Sequence, residues 1–73
     1  MKNNMKENIL IFRTRLKELR TKNKLSQEAL ARETGLSRDT ICNLETGRSR
    51  PNMEDIIILS EFFETTPNFL LGY

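Results

Sequence analysis

The chain has 73 residues, 12 basic and 10 acidic, for a net charge of +2, with one cysteine and no histidine. That length holds a single domain, which buries only about 60% of its unfolded surface and leaves too little core to wall off a deep substrate cavity. One cysteine without histidine excludes an intrachain disulfide and a zinc site, so neither metal nor cofactor is expected.

Met1 to Glu7 carries Lys2 and Lys6 and reads as a flexible arm, with residues 8–73 as the folded domain. The apolar run after it, Ile9 to Phe12, is too short for a signal-peptide core. No stretch approaches the roughly 18 apolar residues of a membrane span, so a soluble, cytoplasmic protein without a membrane partner is expected. The lone thiol fits a reducing compartment.

Apolar residues then recur at helical spacing. Phe12, Leu16 and Leu19 stand at i, i+4 and i+7 and predict a first helix over about 8–22. Ser26 is an N-cap signal for a second helix, which stops at Gly35, a residue suited to the left-handed closing turn. Ser37 repeats the signal for a third helix, about 37–45, ending before Gly47, and Asp39 in its first turn suits the helix dipole. Asn52 with Asp55 resembles a capping box and starts a fourth helix through about Phe63. Thr66-Pro67 reads as N-cap and first position of a short fifth helix, Asn68 to Leu71. The expected fold class is all-α, five short helices without a strand. Helices two and three, joined at Thr34-Gly35-Leu36, form a helix-turn-helix.

The net charge conceals an asymmetry. Residues 1–51 hold all 12 bases and six acids, a net of +6, whereas residues 52–73 hold four acids and no base, a net of −4. Such a dipolar chain can turn its basic side to a polyanion and its acidic end elsewhere.

Arg15-Leu16-Lys17-Glu18-Leu19-Arg20, Leu25-Ser26-Gln27-Glu28-Ala29-Leu30-Ala31, Gly35-Leu36-Ser37, Ile41-Cys42-Asn43-Leu44-Glu45-Thr46-Gly47-Arg48 and Pro51 follow in one order and spacing. Together they resemble the Cro and phage-repressor family of helix-turn-helix proteins, the xenobiotic-response-element-like regulators, over about residues 11–72. The resemblance implies a lambda-repressor-like DNA-binding domain whose third helix enters the major groove. It also implies a structural ion pair between Arg20 and Glu45.

The same resemblance assigns base reading to Arg38, Asp39, Thr40 and Asn43, on the exposed side of helix three. Arginine binds guanine bidentately, asparagine binds adenine, aspartate accepts from cytosine N4, and a threonine methyl touches thymine. Asp39 has an alternative role, orienting Arg38, because a carboxylate near phosphates is repelled unless it finds a donor. Phosphate contact falls to Gln27, Ser37, Thr46, Arg48 and Arg50, with Lys24 a weaker candidate on the other flank beside Lys22 and Asn23. Gln27 also has the free N–H groups of a helix start, and it is expected to buttress the recognition helix.

Two features depart from the family pattern. Cys42 stands where a polar residue is usual; it is either a redox-sensitive thiol or a small space-filling residue, and no neighbour in the sequence marks its thiol as activated. Helix four is more apolar than one buried face requires. Met53, Ile56, Ile57, Leu59 and Phe63 can supply the core side, which leaves Ile58 and Phe62 on another face. With Phe69 and Tyr73 they form either a possible interface or an enlarged core.

The expected function is sequence-specific binding of double-stranded DNA at a palindromic operator, as a homodimeric transcriptional regulator, with repression the family habit. The alternative keeps the fold but makes the chain an antitoxin or restriction-modification controller that also holds a protein partner through helix four. No enzyme is expected: Cys42 has no evident base, the carboxylates form no evident dyad, and no glycine loop cradles phosphate.

Overall fold

The computed structural model describes residues 5–73. In chain order the helices are α1 (Met5–Lys22), α2 (Gln27–Thr34), α3 (Arg38–Thr46), α4 (Met53–Phe62) and α5 (Pro67–Leu71). The all-α expectation holds: five helices and no strand among the described residues. None of these helices is long and apolar enough to cross a membrane.

The helix starts follow from side chains that bond the free N–H groups of a first turn. Ser26 accepts from Ala29 N, Ser37 from Thr40 N, and Thr66 from Phe69 N. Asn52 and Asp55 make the reciprocal capping box. Gly35 closes α2 at φ +80°, and a Cβ there would meet nothing within 4 Å. Backbone conformation alone therefore selects glycine at that turn.

The core is a cluster of Phe12, Leu16, Leu30, Ala31, Ile41, Leu44, Leu59 and Leu70, drawn from all five helices. α1 packs against α3 and α5, α2 against α3, and α4 against α5. Ala31 is buried, as the close approach of α2 and α3 requires.

Two expectations are corrected. Met5 to Glu7, expected as an arm ahead of a helix starting near residue 8, already belong to α1 among the described residues, so Lys6 lies on that helix. Lys2 and the rest of residues 1–4 lie outside the described residues. This first stretch of α1 is tied to the C-terminal end of the domain. Asn8 is buried, its amide Nδ2 donates to Leu71 O at 2.5 Å, and its Oδ1 accepts from the Tyr73 hydroxyl at 3.4 Å. An asparagine anchored to the far end of the chain holds the turn around it.

The second correction concerns α4. Its inward positions are Asp55, Ile56, Leu59 and Ser60, followed by Phe63 at the C-cap, so the inner face contains two polar residues. Met53 and Ile57, expected inside, are 77% and 44% exposed. Phe62, expected on a separate face with Ile58, packs on the core, its ring edge-on to Phe63 at 5.0 Å. Ile58 is half-buried. Hydrophobicity alone misassigned the face because the capping box points Asp55 inward and carries Ser60 in with it.

Ser60 is 2% exposed, and its Oγ has no hydrogen-bond partner among the described residues. An unsatisfied buried hydroxyl costs about 1–3 kcal/mol. Ser60→Ala is expected to raise the thermal midpoint by several degrees, since about 1 kcal/mol moves a domain of this size by about 4–8 °C. An unchanged or lower midpoint would show that the hydroxyl is satisfied in solution.

Candidate nucleic-acid interface

The C-terminal end of α3 is tied to α1 and α2 through one carboxylate. Glu45, with a side chain 3% exposed, takes Arg20 Nε on Oε2 at 2.6 Å and Arg20 Nη2 on Oε1 at 3.0 Å. Gln27 Nε2 donates to the same Oε1 at 3.0 Å, and Arg20 Nη1 donates to Leu25 O at 2.8 Å. The two-point contact uses the planar fork that only arginine has. Arg20 is held above the ordinary arginine range, chiefly by its hydrogen bond with Glu45; burial pulls the other way and the Glu45 charge adds to the rise. A raised pKa contributes stability that is complete below the ordinary value and lost only as pH climbs through the higher one. Arg20 therefore adds no pH dependence in the neutral range.

At the other end of α3, Ser37 caps the helix at 3.0 Å from Thr40 N, and its hydroxyl lies 2.8 Å from the Thr40 hydroxyl. Arg38 and Asp39 in the first turn are exposed; Thr40 and Asn43 are half-buried. None of the four expected base readers is buried. Cys42 is a free, half-buried thiol. Thr46 donates its hydroxyl to Cys42 O at 2.9 Å, with Asn43 O at 3.4 Å, so that proton is already committed within the helix.

The loop after α3 carries Arg48 and Arg50, both exposed. Arg50 Nη1 reaches Met5 Sδ at 3.3 Å. Lys24 is exposed in the turn before α2, at φ +59°. The expected contacts thus fall on three elements, the start of α2 at Gln27, α3, and the 47–50 loop. Phe69 and Tyr73, the suggested interface residues, are 42% and 74% exposed. Arg15 covers Phe69, its guanidinium carbon 4.3 Å from the ring centroid, and also donates to Phe69 O. The sequence reading missed Arg13, whose Nε lies 3.5 Å from Glu45 O. Its one legible trace is the i, i+7 spacing to Arg20 on α1.

Residues 16–70 match the helix-turn-helix family. The chain belongs to that family, in its Cro and repressor branch. Among relatives, it is 42% identical over 61 residues to the HTH-type transcriptional activator BcrR of Enterococcus faecalis, a match spanning 84% of this chain and 30% of that protein. It is 38% identical over 58 residues to the HTH-type transcriptional regulator AnsR of Bacillus subtilis (strain 168), spanning 80% of this chain and 50% of that one. The chain therefore spans half or less of these two helix-turn-helix proteins. Among solved structures, the restriction-modification controller protein C.AhdI from Aeromonas hydrophila superposes with a TM-score of 0.77 at 35% identity, over 85% of this chain and 94% of that one.

Removing one partner of a buried ion pair strands the other, at a cost of about 3–5 kcal/mol. Arg20→Ala is expected to destabilise by that order in denaturant unfolding, Arg20→Lys to recover only part, and Arg20→Ala with Glu45→Ala to cost less than the two single changes summed. Strict additivity would show that the pair is not coupled in solution.

Proposed function

We propose that the chain is a cytoplasmic DNA-binding transcriptional regulator that lays α3 in the major groove. The observation that carries this reading is the presentation of Arg38, Asp39 and Asn43 on a helix locked at both ends, by Ser37 and by Glu45. Arg38 reads guanine and Asn43 adenine. Asp39, beside Arg38, accepts from cytosine N4 or steers the guanidinium. Thr40 contributes its methyl group, its hydroxyl being engaged with Ser37.

Phosphates flank this helix. The second N–H of the Gln27 amide and the free N–H groups of the α2 start face one strand, and Arg48 and Arg50 follow the other. Ser37 donates its hydroxyl proton when Thr40 donates to it. The Thr46 side-chain proton is used within α3, so the backbone amide of Gly47, just beyond it, serves in its place. Lys24 adds charge at the flank.

A palindromic operator and a homodimer complete the proposal: two copies about a two-fold axis set their α3 helices one turn of DNA apart, about 34–36 Å. Occupation of the site represses where the operator overlaps a promoter. The likeness to C.AhdI over 94% of that chain favours one narrower version, control of restriction-modification genes by the same DNA chemistry.

Titration into duplex DNA at several salt concentrations tests this. Binding is expected to weaken linearly in log–log form, and Arg48→Ala with Arg50→Ala to reduce the slope by about two. Asn43→Ala is expected to cost about 1–3 kcal/mol on the selected operator while leaving the slope and non-specific binding intact. A folded protein that binds no duplex at low salt would overturn the reading.

A further inference from the structure

The carbonyl end of α3 poses a local problem that α3 does not solve itself. A helix ends in unpaired carbonyls and partial negative charge, which a nearby cation relieves. α3 has no basic residue in its last turn. It ends instead in Glu45 and Thr46, and the charge of Arg20 is already directed at the Glu45 side chain.

Arg13 supplies the missing cation from α1. It is half-buried, with Nε 3.5 Å from the Glu45 carbonyl oxygen. At that length the interaction is more charge with dipole than a strong hydrogen bond. The same guanidinium lies against Gly47, where the chain leaves α3. A Cβ on residue 47 would fall 2.9 Å from Arg13 Cζ and Nη1. Gly47 also sits at φ +82°. Conformation requires glycine at both 35 and 47, and at 47 an added Cβ would also displace the Arg13 guanidinium, the far end of a flexible side chain.

Arg13 and Arg20 are seven residues apart, two turns on one face of α1. α1 thus grips the end of α3 twice, through the Glu45 carboxylate at Arg20 and through its backbone at Arg13. Immediately beyond the second grip come Arg48 and Arg50.

We infer that Arg13 is a positioning residue for DNA binding: it caps the carbonyl end of α3 from α1 and sets the direction in which the 47–50 loop presents Arg48 and Arg50. This rests on the DNA-binding reading above. A planar group is needed to lie flat over Gly47 Cα, so lysine replaces the charge but not the fit.

Amide hydrogen exchange and duplex-DNA titration are compared for wild type, Arg13→Ala, Arg13→Lys and the control Arg15→Ala, at a temperature where all are folded. Arg15 also belongs to α1 but serves α5 through Phe69. In Arg13→Ala the Ser49 amide, bonded to Asn43 O at 3.3 Å, is expected to exchange several-fold faster than in Arg15→Ala. DNA affinity is expected to fall about three- to tenfold with an unchanged salt slope, and Arg13→Lys to restore it only in part. A slope reduced by about one with unaltered loop exchange would make Arg13 a phosphate ligand and overturn the inference. Unaltered exchange and affinity would overturn it too. Should Arg13→Ala not fold, Arg13→Lys carries the exchange comparison against Arg15→Ala: faster Ser49 exchange in Arg13→Lys would support the cap, and exchange equal to that of Arg15→Ala would refute it. A wild type that ignores DNA would defeat the DNA-binding reading and this residue's place in it, while the exchange data alone would still decide the cap.

Discussion

The arrangement of the domain depends on one buried carboxylate. Glu45 is nearly removed from water at the end of α3, where an unpaired charge would be untenable. It is tolerated only because Arg20 arrives from α1 with two donors and Gln27 from the start of α2 with a third. Those three donors can meet two oxygens in one relative placement of the three helices. Ion pairs of this kind add little net stability over an apolar substitute. Their contribution here is geometric, since they fix the angle and depth at which α3 is held out from the body.

Stability is distributed over many small terms. Helices of five to ten residues do not persist alone, and four of the five in this chain are that short. Each of those four begins with a side-chain cap worth about 1 kcal/mol. α1 is the long exception, and the structure uses it as a rail. Its inner face supplies Phe12 and Leu16 to the core, Arg13 and Arg20 hold α3, and Asn8 and Arg15 hold the C-terminal segment. The basic residues concentrated in the first two-thirds of the chain are thus of two kinds. Arg13, Arg15 and Arg20 are spent on internal contacts, whereas Arg38, Arg48 and Arg50 remain exposed along α3 and its following loop.

Local signals were legible in the residues themselves, whereas the tertiary contacts that were expected, Arg20 with Glu45 and Gln27 against α3, came from the family resemblance. Ser26, Ser37, Asn52 with Asp55, and Thr66-Pro67 mark helix starts by chemistry confined to one turn, and all four stand as read. Gly35 likewise announces its own φ. The burial of Asn8 was not legible because its partners, Leu71 and Tyr73, lie more than sixty residues away. The buried face of α4 was misread because Asp55 and Ser60 take inward places that hydrophobicity assigns to Met53 and Ile57. Arg13 looked like any exposed helical arginine until the end of α3 was set beside it. The roles given to Arg38 and Asn43 came from family resemblance, since nothing in their local sequence distinguishes a base reader from a solvated surface.

The most direct measurement of the central claim is a map of backbone amide shifts in labelled protein as duplex DNA is added. Perturbations are expected along residues 26–28, 37–43 and 46–50, with the acidic α4–α5 end unmoved. Shifts concentrated on Met53, Ile57, Phe69 and Tyr73, with α3 silent, would contradict it.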